Sequence, residues 1–89
     1  MSQEIPPTAW RELVSRIIKM ELTKRKLRYE DLSQKLHAVG VSQTADNLRN
    51  KINRGILGAD LFLQIVYVLE IRTLERHLIE DVLRSLSEG

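Results

Sequence analysis

Eighty-nine residues with 43% hydrophobic content are enough for one compact domain and argue against disorder throughout. The absence of cysteine excludes a disulfide framework and any Cys-based zinc site. Net charge is +2, unevenly spread: eleven Lys/Arg meet five acids between 11 and 54, whereas three Arg meet six acids from Gly55 onward. A basic first part suits a polyanion partner, and the acidic tail suits something else.

Residues 1–8 read as a flexible arm, with Pro6-Pro7 blocking helix before Thr8, which caps the first helix. No basic region leads into an apolar core there, so no signal peptide is expected. From Ala9 to about Arg25, Trp10, Leu13, Val14, Ile17, Ile18 and Leu22 recur at spacings of three and four. Trp10 is expected to anchor this helix on the core. Lys24, Arg25, Lys26 and Arg28 cluster at its end, where cations complement the helix dipole and could equally hold phosphates.

Arg28 to His37 reads as a second helix with Leu32 and Leu36 buried, and Ser33 as the small residue where it presses on the next one. Gly40 is the expected left-handed terminator, with Val41 packing back on the core. Ser42 and Thr44 are both possible caps for a third helix that ends at Arg54-Gly55. On that helix Ala45, Leu48 and Ile52 share an apolar face. The opposite face collects Gln43, Asn47, Asn50 and Arg54, flanked by Thr44 and Lys51.

Asp60 to Glu70 is rich in β-branched and aromatic residues, yet Leu61, Ile65, Val68 and Leu69 follow helical spacing and no second strand exists to pair with it. It is expected to be a central helix, buried on nearly all sides. Thr73 is expected to cap a last helix over 73–86, whose wide apolar face offers Leu78, Ile79, Val82, Leu83 and Leu86 to a second copy. The prediction is an all-α bundle of about five helices, with residues 9–89 as one domain.

This order of elements resembles the lambda-repressor-like (Cro/C1, XRE) helix-turn-helix fold: a Leu27-to-Leu36 helix, a Gly40-Val41-Ser42 turn, a polar third helix ending in Arg54-Gly55, then an apolar fourth. The fragment NLRNKINRG followed by LFLQ is also similar to a group of small uncharacterised bacterial and phage-associated proteins. The resemblance covers roughly Val14 to Ile71. It implies a transcriptional regulator that binds DNA as a dimer, with the start of helix two on the backbone and helix three in the major groove. The chain departs from the family pattern at Tyr29, where the family has Gln, and by a longer stretch between Leu36 and Leu48, which alters the angle of helix three.

Within that reading, Gln43, Asn47, Asn50 and Arg54 are the candidate base-edge contacts, because amides pair with adenine and guanidinium with guanine. Arg25, Arg28, Tyr29, Thr44 and Lys51 are the candidate phosphate contacts. A merely solvated face would favour Lys and Glu over Asn, a poor helix former. Asp46 opposes phosphate unless a neighbour such as Arg49 neutralises it.

No enzyme is expected. His37 suits a helix C-terminus, and His77 with Glu80 and Asp81 suits a surface ion pair. Cofactors and metals are not called for, and neither is a membrane partner. The expected partners are double-stranded DNA and a second copy of the chain, in a cytoplasmic, nucleoid-associated setting. The alternative is an antitoxin- or adaptor-like protein-interaction module on a helix-turn-helix scaffold without DNA binding; RNA binding is the weaker third option.

Overall fold

The computed structural model describes residues 5–88, and most of the expected arm (1–4) lies outside them. Five helices follow in order: α1 (Pro7–Lys24), α2 (Tyr29–Ala38), α3 (Ala45–Arg54), α4 (Ala59–Val68) and α5 (Arg76–Glu88), with no strand among the described residues. The all-α bundle is as expected. Its helix-packing order is α5–α1–α3–α2–α4, each helix meeting the next in that series.

Four helices stop in the same way. After α1, α2, α3 and α4, the residue at Lys26, Gly40, Gly55 or Glu70 takes positive φ (56°, 85°, 65° and 55°). Its N–H bonds three residues back, and the next residue (Leu27, Val41, Ile56 or Ile71) bonds five back, at 2.9–3.1 Å throughout. This is the Schellman motif, which satisfies orphan carbonyls and sends an apolar residue back toward the bundle. Leu27, Val41 and Ile71 pack on the core as the motif requires, whereas Ile56 stays 54% exposed.

The main core gathers Ile18, Leu22, Leu32, Leu36, Leu48, Ile52, Leu61, Ile65 and Leu69 from the first four helices. Each fully buried Leu or Ile contributes about 1.5–3 kcal/mol, so this cluster is what holds α3 in place. A second, smaller cluster joins Leu13 and Ile17 of α1 to Leu83 of α5, with Ala9, Leu74, Ile79 and Val82 packed around it. Helix α1 therefore works on two sides: its first half carries α5, its second half the main core.

Several expectations are corrected. The first helix begins at Pro7, not after Thr8, because proline is favoured in the first turn, where its N–H is not needed. Trp10 is 46% exposed and is no core anchor; Leu13 and Ile17 fill that role. Helix α4 is not buried on nearly all sides. Its Leu61 and Ile65 enter the main core, but its outer side leaves Leu63 63% and Tyr67 72% exposed. Asp60 does not cap α4, since Gly58 holds the cap position and the Asp60 carboxylate accepts from the adjacent Leu61 N–H. The last helix starts at Arg76 rather than Thr73: Leu74 is drawn onto the α1–α5 cluster, and the Glu75 carbonyl accepts the first helical N–H groups.

Candidate nucleic-acid interface

Helix α3 is built by its cap, its apolar face and its stop. Thr44 is the N-cap, its Oγ1 accepting from the Asn47 N–H at 3.0 Å, which leaves the hydroxyl proton free to donate outward. Leu48 and Ile52 are fully buried and Ala45 half-buried, as their spacing predicts. At the far end Gly55 lies so close to α1 that a Cβ built on it would sit 2.0 Å from the Arg11 carbonyl oxygen. Gly55 thus serves both the left-handed turn and the close approach of α3 to α1.

The turn before α3 is fixed by a hydrogen bond that spacing alone did not show. Ser33 Oγ of α2 donates to the Gln43 carbonyl at 2.5 Å, tying residues 39–44 to the middle of α2. The lengthened turn between α2 and α3 is therefore held at its far end.

On the outward face Asn47, Asn50 and Arg54 are exposed, and among the described residues no side-chain hydrogen bond or ion pair engages them. Gln43 is placed differently. It is half-buried, and its Oε1 accepts from Lys51 Nζ at 3.2 Å, so the pair is pre-set with the amide nitrogen left over. Asp46, whose charge would oppose a polyanion, is held by Arg49 at 2.5 Å.

Arg49 was not among the expected site residues, although its i,i+3 relation to Asp46 was legible. Its guanidinium also lies 5.3 Å from the Tyr29 ring centroid, a cation–π contact that joins the start of α2 to the middle of α3. Tyr29 is half-buried there; loss of solvent around the phenol raises its pKa, and the nearby Arg49 charge opposes that shift.

Of the cations expected on phosphates, two are otherwise engaged. Arg25 is turned inward: Nε donates to the Leu69 carbonyl at 2.8 Å, and its terminal nitrogen contacts the buried carboxylate of Glu21 and, at 3.2 Å, the Glu21 carbonyl. It fastens the end of α1 to the end of α4. Arg28 remains exposed but has Asp31 at 3.8 Å and Glu30 at 4.0 Å, and its backbone N–H is capped by Asp31.

The residues expected to meet a second copy are divided. Ile79, Val82 and Leu83 pack on α1 within the chain, which accounts for much of the width of the α5 apolar face. Leu78 and Leu86 are half-buried. His77 pairs with Glu75 at 3.0 Å rather than with Glu80 or Asp81, which are taken by Arg76 and Arg84. Among the described residues no group of three or more His, Cys, Asp or Glu could hold a metal, and no helix is long and apolar enough to cross a membrane.

The family model described as Domain of unknown function (DUF6471) matches residues 10–74. The chain belongs to the DUF6471 family. The matched span runs from Trp10 in α1 through the whole of α3 and α4, and stops ahead of α5. The DUF6471 unit in this chain is thus the four-helix part that carries the polar α3 face. No curated protein and no solved structure matches the chain.

Proposed function

We propose that this protein is a sequence-specific DNA-binding regulator that lays α3 in the major groove. One observation carries the reading: Asn47, Asn50 and Arg54 project from one face with no partner among the described residues, on a helix fixed at both ends. Side-chain amides and a guanidinium can match adenine and guanine edges, and no internal contact must break before they do so. Arg49 supports the reading by neutralising Asp46, and Lys51 and Thr44 stand at the margins of the face to meet phosphates. The resemblance to lambda-repressor-like domains points the same way.

Arg25 has no part in this proposal, because its guanidinium closes the fold. Arg28 contributes at most a partly offset charge. Regulation would follow from occupancy, with the bound domain excluding or recruiting polymerase at the site.

The test is selection of preferred duplexes from a random pool, followed by titration of the winner against a scrambled duplex. Enrichment of one motif, with Asn50→Ala losing the preference, supports the proposal. Failure to enrich anything at low salt would turn attention to the adaptor-like reading, which the exposed apolar residues of α4 favour.

A further inference from the structure

We infer that the α2–α4 face is a docking surface for a second copy of this chain. Helix α4 turns its inner side to the main core and has α2 as its one close backbone neighbour among the helices, and its outer side carries Leu63 and Tyr67, one turn apart and 63% and 72% exposed. Beside Tyr67 lies a depression of about 380 Å³ lined by Lys35, Ala38, Val39, Tyr67, Val68 and Glu70. A second hollow shares Lys35, Val68 and Glu70 with it, so the two form one continuous groove between the ends of α2 and α4. Val39, on its wall, is itself 47% exposed.

Two features select another copy as the occupant. A two-fold interface uses one patch twice, so the patch must carry both a projection and a recess for it. Here the Tyr67 projection borders a recess with an apolar floor of Ala38, Val39 and Val68. The rim must also be its own charge complement. Lys35 and Glu70 stand on the same groove, both exposed, and neither forms an ion pair among the described residues. Turned through a two-fold axis, Lys35 meets Glu70 of the partner subunit, and the reverse pair forms by symmetry. A partner of one net sign would satisfy only one of these charges.

The face is also small. A ten-residue helix is about 15 Å long, so this face falls below the roughly 800 Å² per partner of a standard interface. A face this small suits a weak, reversible dimer. The whole face lies within the family-matched span, whereas α5 lies outside it.

The experiment is light scattering and sedimentation of the full chain over a concentration series, without DNA, so its outcome is independent of the DNA-binding proposal. The wild type should shift from monomer to dimer over micromolar concentrations. Leu63→Glu with Tyr67→Glu should raise the dissociation constant at least tenfold while leaving the helical spectrum and the melting of the dilute monomer unchanged, since both side chains are solvent-exposed in the single chain. Lys35→Glu and Glu70→Lys should each weaken the dimer, and the two together should restore it; this pair keeps the test sound if the first variant fails to fold. A wild-type monomer throughout the series overturns the inference. So does a dimer that survives Leu63→Glu with Tyr67→Glu but is lost in Leu78→Glu with Leu86→Glu.

Discussion

Arg25 Nε donates to the Leu69 carbonyl across the ends of α1 and α4 at 2.8 Å, while the same guanidinium covers the carboxylate of Glu21, which is only 6% exposed. Removing the cation leaves a nearly buried carboxylate with only Lys24, 3.6 Å away and largely in solvent. Arg25→Ala should therefore destabilise the fold by about 2–3 kcal/mol, read by denaturant unfolding. Adding Glu21→Leu should recover part of that loss. The salt dependence of DNA binding should be the same as wild type, which separates this role from phosphate contact.

Gly40 and Gly55 both take positive φ, but only one is crowded. Nothing lies within 4 Å of a Cβ at Gly40, so Gly40→Ala should cost about 1 kcal/mol, the left-handed strain alone. Gly55→Ala adds an overlap with the backbone of Arg11 and should cost about 3 kcal/mol or more. Equal losses in the two variants would contradict the close approach of α3 to α1.

Tyr29 makes stability sensitive to alkali. Desolvation raises its pKa in the folded chain above the ordinary 10.0, so the folded state binds the phenolic proton more tightly than the unfolded state. That contribution is fully present below pH 10 and is lost as pH rises from there through the raised value. Unfolding titrations of wild type and Tyr29→Phe should run parallel below pH 10, and the wild type should fall more steeply above it.

Asn50 and Lys51 are neighbours with different expected roles. Asn50→Ala should cost about 1–3 kcal/mol on the preferred duplex and flatten discrimination at one base pair, leaving other sequences nearly unchanged. Lys51→Ala should weaken all duplexes alike and also release Gln43, whose Oε1 it now holds. Titration of both variants on preferred and scrambled duplexes decides the matter.

Much of this molecule was legible from its residues. The apolar period fixed the helices and the buried set of Leu32, Leu36, Leu48 and Ile52, and Gly40, Gly55 and Thr44 marked two stops and a start. Lys26 and Glu70 perform the same stop without glycine, so composition gave no sign of them. Arg25 was misread because a cation at a helix end looks alike whether it faces solvent or a distant carbonyl; its bond to Leu69 spans residues far apart in the chain. The burial of α4 was overestimated for a related reason. Hydrophobic content says which faces are able to be covered, but only the packing shows that the side of this helix carrying Leu63 and Tyr67 is left uncovered. At the candidate site, the polar face of α3 was readable from spacing, whereas the Ser33 and Arg49 contacts that orient it depend on how α2 and α3 meet.

The most direct test of DNA reading by α3 is fluorescence titration of the selected duplex at 50 mM and 200 mM salt, for wild type and Asn50→Ala. With about one to two phosphates neutralised per domain, by Lys51 and in part by Arg28, affinity should fall roughly 3- to 12-fold over that range for both proteins. Preference for the selected duplex should persist in the wild type and collapse in the variant. Binding that ignores salt, or an Asn50→Ala variant that discriminates as well as wild type, would contradict the account.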